Sequence, residues 1–200
     1  MMKLILASNN PKKLRELKAI LSDMEVELFS QREAGCDFEV EETGTTFEEN
    51  AYLKAKAVAD ATGEITVADD SGLMVEALNG EPGVYSARYA PGGHEATDKE
   101  KYEYLLKKMS GMENRRAKFV TSICCIFPNG DMIRTEGEIH GDILPVPDGE
   151  GGFGYDPVFR PDGYEHSMAV LGPEVKNRIS HRANALMKLR KELIEYYDNK

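Results

Sequence analysis

Two acidic pairs, Glu41-Glu42 and Asp69-Asp70, are the residues of this chain best suited to hold a metal ion or move a proton. Asp69 and Asp70 follow directly on residues 65–68, which read as a short buried strand, and in open α/β sheets ligands collect at the carboxyl ends of strands. If the loop carrying Glu41 folds over that edge, four carboxylates converge, and such a group of like charges is costly unless a cation neutralises it. Donors that are all oxygen suit Mg²⁺, with Mn²⁺ as a possible substitute. Glu42 reads as a solvated loop residue. Asp70 reads as functional, because an Asp closing a buried strand beside Ser71-Gly72 has little structural work to do.

Cations stand where helix electrostatics would prefer acids. Asn10 is a good N-cap and Pro11 a good first helical residue, so a helix starts here, and Leu14, Leu17 and Leu21 continue it at helical spacing. Its first turn carries Lys12 and Lys13, although unpaired N–H groups already make that end positive. A strand, a turn of small polar residues and a cationic helix start form a phosphate cradle by the logic of helix N-termini; two solvated lysines are the equally weighted alternative. The pattern recurs at Ser180, an N-cap followed by His181 and Arg182, and the recurrence favours one shared polyanion. Asn50 and Lys54, one turn apart on a helix, could add phosphate contacts, though Lys54 fits a surface pair with Glu48 or Glu49 as well. Phe153, flanked by Gly151, Gly152 and Gly154, is either a base-stacking platform or a hydrophobic plug. A triphosphate held between lysines and a carboxylate-bound cation is set up for water attack on phosphorus.

The elements that must position these residues alternate at first. Strands at 3–7, 26–29 and 65–68 are interleaved with helices at 11–21 and Phe47–Thr62, an α/β pattern. Thr46 with Glu49 forms a capping box for the second helix, and Gly63 stops it. A third helix at 98–109 has Thr97 with Glu100 as its box. Residues 119–127 and 132–140 read as strands joined by the turn Pro128-Asn129-Gly130. Residues 144–164 read as a long ordered loop, and such loops in compact domains are usually functional. A last helix runs from Ser180 to about residue 197, and the whole is read as a single domain.

Composition narrows the partners. With 25 basic against 35 acidic residues in 200, the net charge is −10, which opposes binding to nucleic acid or anionic lipid and leaves a small, locally held anion as the ligand. No apolar run approaches the roughly 18 residues of a membrane span, so a cytosolic chain is expected. Cys36, Cys124 and Cys125 make neither a CxxC pair nor a zinc pattern and are expected to be reduced.

The blocks SNNPKKLREL at 8–17, EETGTTFEENAYLKAKA at 41–57, ADDSGL at 68–73, GVYSARYA at 83–90, GGFGYDPVF at 151–159 and KNRISHRANAL at 176–186 together resemble the inosine triphosphate pyrophosphatase family. The resemblance spans nearly the whole chain. It implies an α/β fold with an elongated mixed β-sheet flanked by helices, two lobes with the active-site cleft between them, and a homodimer. It also implies Mg²⁺-dependent hydrolysis of ITP, dITP and XTP to the monophosphate and pyrophosphate. Carried over by motif, Ser8, Asn9, Asn10, Pro11, Lys12 and Lys13 would hold the phosphates. Glu41 and Asp70 would hold the metal, with Asp70 also the general base and Ser71 beside it. Phe153, Gly154, Tyr155 and Asp156 would frame the base, and Lys176, His181 and Arg182 would close over it and read its 6-oxo group. Departures are mild: residues 92–95 look slightly expanded, and Val170 stands where a Glu is common.

Two rivals remain. A Maf-like nucleotide pyrophosphatase resembles this family in fold, but its first block has a basic pair in place of Asn-Pro-Lys-Lys, and residues 180–182 would be unexplained. A nucleotide-sensing module without turnover is disfavoured by Glu41 and Asp70, which would repel a triphosphate unless a metal intervened. Pyrophosphate release from ITP with and without Mg²⁺ separates the three.

Overall fold

Strands buried on both faces read as apolar runs, and the first strand, β1 (Met2–Leu6), closes on such a run, the buried Leu4-Ile5-Leu6. The computed structural model describes residues 2–199. After β1 come α1 (Pro11–Ile20), β2 (Val26–Ser30), α2 (Phe47–Thr62), β3 (Ile65–Val75), α3 (Asp98–Lys108), β4 (Arg116–Ile126), β5 (Met132–Ile143), β6 (Phe159–Pro161), α4 (Met168–Ile179) and α5 (His181–Asp198). The six strands form one sheet in the order β2-β1-β3-β4-β5-β6. β1 pairs in parallel with β2 and β3, and β5 with β6 antiparallel, so the sheet is mixed, as expected.

The chain divides into two compact units. One comprises residues 1–70, 121–137 and 182–200, the other 71–120 and 138–181. In the first unit, side-chain alternation sorts the apolar residues into two clusters. Leu4, Leu6, Val67, Ile123 and Cys125 meet Leu17 of α1 and Leu186, Leu189 and Leu193 of α5. Ile5, Ala68, Cys124 and Ile126 meet Ala51, Ala55 and Val58 of α2. Cys124 and Cys125 therefore lie buried and free on opposite faces of β4, where burial pushes both thiols up. The second unit has its own core, in which Leu73, Val75, Phe119, Ile143 and Phe159 pack with Leu105 and Met109.

The helix signals translate directly. Asn10 Oδ1 accepts from the Lys12 and Lys13 N–H groups at 2.9 and 3.4 Å. Thr46 and Glu49 complete their box, and Gly63 takes the left-handed conformation at φ 68° that ends α2.

Several elements differ from the expectation. β3 does not stop at Ala68 but runs on to Val75, 11 residues in all, so Asp69 and Asp70 sit inside a strand rather than at its end. The reason is that Leu73 and Val75 are fully buried downstream, while both aspartates find polar partners and so impose no break. β4 and β5 are longer than read. The stretch 144–164 holds a short 3₁₀ turn (Asp156–Val158) and the edge strand β6, whose three residues are too few to leave a pattern. α4 was not foreseen, because Gly172 at φ 74°, followed by Pro173, interrupts its periodicity.

Gly141 marks the β5–β6 pairing, since a Cβ there would stand 2.2 Å from the Arg160 carbonyl oxygen. Gly141→Ala should therefore cost about 1–3 kcal/mol by overpacking. Thermal denaturation should show a Tm lowered by several degrees; an unchanged Tm would mean that β6 is free to move away.

Candidate active site

Strand alternation decides which neighbours each aspartate of β3 meets. Asp69 shares the face of Val67 and turns towards α1 and α5; Asp70 shares the face of Ala68 and turns towards α2. Asp69 is buried, with Lys13 Nζ at 3.0 Å and Arg182 at 3.2 Å. Arg182 also reaches Glu16 at 3.3 Å. Burial alone would raise the Asp69 carboxyl, but Lys13, Arg182 and Lys54 outweigh it and hold the group well below the usual carboxylate range.

Asp70 is held differently. Asn50 Nδ2 donates to its Oδ2 at 3.1 Å, and Lys54 Nζ lies 3.5 Å from its Oδ1. The same ammonium is 2.5 Å from Glu42. Burial works against the charge on Lys54, yet Asp70, Asp69 and Glu42 together raise its pKa. Lys54 is thus no surface partner of Glu48 or Glu49: Glu48 pairs with Arg134, and Glu49 serves the capping box. Nor is Glu42 simply solvated. Glu41 stands exposed on the same loop, its carbonyl accepting from the Thr43 N–H at 3.2 Å.

The side chains of the 8–13 segment build the turn. Ser8 Oγ accepts from the Asn10 N–H at 3.1 Å, and Asn9 Oδ1 from the Arg32 N–H at 2.9 Å. Asn10 caps the Lys12 and Lys13 N–H groups, so these first-turn donors are engaged within the turn. Lys12 is exposed, as is Pro11. Ser71 follows Asp70 along β3 and belongs to the second unit.

The second unit holds a separate constellation. Asp156, 4% exposed, accepts from the Phe153 N–H at 2.9 Å and pairs closely with the Lys176 ammonium. That ammonium lies 3.8 Å from the centroid of the Phe153 ring. The ring itself is 43% exposed, a flat apolar surface backed by a cation. Gly152 is required beside it: its φ is +80°, and a Cβ would fall 2.2 Å from Asp156 Oδ2. Tyr155 lies beneath, in the core, its hydroxyl donating to the Ser86 carbonyl at 2.9 Å, while the Gly154 N–H donates to Asp98 at 2.7 Å. His181 stacks on Phe119 at 4.9 Å and 15°. The adjacent residues His181 and Arg182, expected to act together, thus have different surroundings. Ser86 and Asp98 were missed. Asp98 is disguised as an ordinary first-turn acid behind the Thr97 cap, and Ser86 lies in a motif that offered no obvious chemistry.

Among the described residues no group of three or more His, Cys, Asp or Glu side chains gathers as a metal cage. The Ham1 family model matches residues 4–192. The chain is 45% identical to a dITP/XTP pyrophosphatase of Thermoanaerobacter pseudethanolicus over 201 residues, covering all of both chains. It is also 45% identical to a dITP/XTP pyrophosphatase of Bacillus subtilis, covering 94% of this chain and 96% of that one. The solved Ham1 protein of Staphylococcus aureus is similar in structure, with a TM-score of 0.91 at 44% identity over 97% of this chain and 99% of that one.

Asp69 neutralises two cations that are themselves mostly buried. Asp69→Asn should therefore lose about 3 kcal/mol, the range for removing one partner of a buried ion pair. Urea denaturation at neutral pH measures this; a loss near zero would show that Glu16 alone suffices for Arg182.

Proposed function

The chain belongs to the Ham1 family, and on that premise we propose that it hydrolyses the non-standard purine nucleotides ITP, dITP and XTP to the monophosphate and pyrophosphate. The observation that carries the reading is the division of labour between neighbouring aspartates. Asp69, held ionised by Lys13 and Arg182, is too weak a base to take a proton from water. Asp70 is anchored by Asn50 and by a lysine that it shares with Glu42, which leaves it the better candidate. Its carboxylate accepts a proton from water as the water oxygen bonds to the α-phosphorus, and the bond to the β-phosphate oxygen breaks with pyrophosphate leaving. Lys12 and Lys13 would steady the departing charge.

The donor chemistry fits a divalent cation. Glu42 and Asp70 bring two carboxylates within 3.5 Å of the Lys54 ammonium, hard oxygen donors of the kind that Mg²⁺ takes. Mg²⁺ characteristically takes one or two carboxylates and fills its other positions with phosphate oxygens and water, so no larger protein cage is needed. Asp70 would hold it, with Glu41 as the second ligand, since Glu42 is engaged by Lys54. When bound, such an ion withdraws charge from the phosphoryl oxygens.

For the base, Phe153 offers the stacking face, and Lys176 is the donor beside it. A 6-oxo group gives that donor an acceptor, whereas the 6-amino group of adenine would set donor against donor. His181 and Arg182 would complete the reading, Arg182 by exchanging an acidic partner for the substrate. The proposal includes a cytosolic homodimer: the family resemblance implies the dimer, and among the described residues no helix is long and apolar enough to cross a membrane.

With Mg²⁺, ITP should yield pyrophosphate and IMP, and kcat/KM for ITP should exceed that for ATP by about a hundredfold or more. Phosphorus NMR showing orthophosphate and a nucleoside diphosphate would overturn the reading. Asp70→Asn should remain folded by circular dichroism yet lose about a thousandfold or more in kcat. Glu41→Gln should raise the Mg²⁺ concentration for half-maximal activity more than Glu42→Gln does; the reverse order would make Glu42 the ligand.

A further inference from the structure

The motif at 83–90 is bound into the structure at a point that the proposed chemistry does not use. β1 pairs with β3 through Ile65, Thr66 and Val67. Further along β3, the Leu73 N–H donates instead to Ser86 Oγ at 2.9 Å, and the Val75 N–H to the Glu81 carbonyl at 3.0 Å. Ser86 Oγ also donates to the Gly83 carbonyl at 2.7 Å, so this buried hydroxyl is held from both sides. The Ser86 carbonyl then receives the Tyr155 hydroxyl at 2.9 Å. One residue earlier, the Gly154 N–H is received by Asp98 Oδ2 at 2.7 Å, at the start of α3.

Two consecutive residues of the Phe153 loop are therefore tied to elements outside it, one to the strand edge through Ser86 and one to a helix start through Asp98. A loop with φ of +80° at Gly152 and +61° at Gly154 has little intrinsic preference for one conformation. Within the loop Asp156 accepts from the Phe153 N–H, and the same carboxylate pairs with Lys176 of α4, which joins the platform to that helix. The ties from Gly154 and Tyr155 add fixed points on two further elements. Asp98 is half-satisfied elsewhere, with Lys101 3.7 Å away, yet it is the carboxylate that takes the Gly154 N–H.

We propose that Asp98 and Ser86 are positioning residues for base selection: acting through Gly154 and Tyr155, they hold the Phe153 platform at the height from which a purine is read. The inference rests on the proposed function, because it takes Phe153 as the surface that receives the base. Both residues act on how the base is held, so they should affect KM and the preference among bases more than kcat.

The test compares Asp98→Ala, Asp98→Asn and Tyr155→Phe with wild type, measuring kcat and KM for ITP and ATP, Ki for pyrophosphate, and Tm. Asp98→Ala and Tyr155→Phe should each lower the ITP:ATP ratio of kcat/KM by about tenfold, chiefly through KM for ITP, with Ki for pyrophosphate changed by less than about twofold. Asp98→Asn keeps an oxygen acceptor for the Gly154 N–H and should restore most of the ratio. Tyr155→Phe deletes a buried hydroxyl and should lower Tm, whereas Asp98 lies at the surface, so its pair of variants reads positioning apart from folding. Unchanged ratios in both Asp98→Ala and Tyr155→Phe overturn the inference, as does a lowered ratio that Asp98→Asn fails to restore. Wild type that releases no pyrophosphate from ITP overturns the proposed function and this inference with it, whereas turnover with unchanged ratios overturns the inference alone.

Discussion

Everything in the first unit is arranged around two adjacent aspartates in a strand whose side chains must point to opposite faces. Because the period of a strand is two, Asp69 cannot face α2 if Asp70 does, and each face is already occupied by helices chosen for apolar packing. Each carboxylate must then find its cations on the helices available to it. Asp69 finds Lys13 on α1 and Arg182 on α5; Asp70 finds Asn50 and Lys54 on α2. A buried carboxylate without such partners would be prohibitively costly, so the lysine at a helix start, unfavourable for the helix dipole, is explained by the strand it faces.

The two faces give the carboxylates different partners. On one, Asp69 and Glu16 meet Lys13 and Arg182. On the other, Glu42 and Asp70 share Lys54. The first set ties α1 and α5 to the sheet; the second gathers carboxylate oxygens around a lysine of α2. The same alternation that divides the core thus gives two adjacent carboxylates different partners.

The second unit solves another problem, that of presenting an aromatic face to solvent without letting it collapse. Phe153 is kept at the surface by a buried Asp156 that takes both its N–H and the Lys176 ammonium lying against the ring. Glycine at 152 is the only residue that leaves room for that carboxylate. Tyr155, by contrast, contributes from below as a core residue with one hydrogen bond.

The sequence by itself was enough for the helix ends and the α/β pattern, because caps, boxes and apolar periodicity are local: Asn10, Thr46, Glu49 and Gly63 do in the structure what their types predict. It also singled out Asp69 and Asp70, Lys54, Phe153 and Arg182 as residues of interest, since charge and aromatic placement stand out against a periodic background. What it could not reveal was the length of β3, because whether two aspartates end a strand depends on cations distant in sequence, up to 113 residues away in the case of Arg182. It could not reveal that Glu42 rather than Glu48 or Glu49 meets Lys54, since a loop folded across a helix leaves no periodic trace. Nor could it show that Ser86 and Asp98 hold the Phe153 loop, because a hydrogen bond to a backbone group 56 or 69 residues away depends on where the chain returns. Propensity and pattern act over a few residues, whereas partner choice for buried charges and backbone donors is made only when the elements pack.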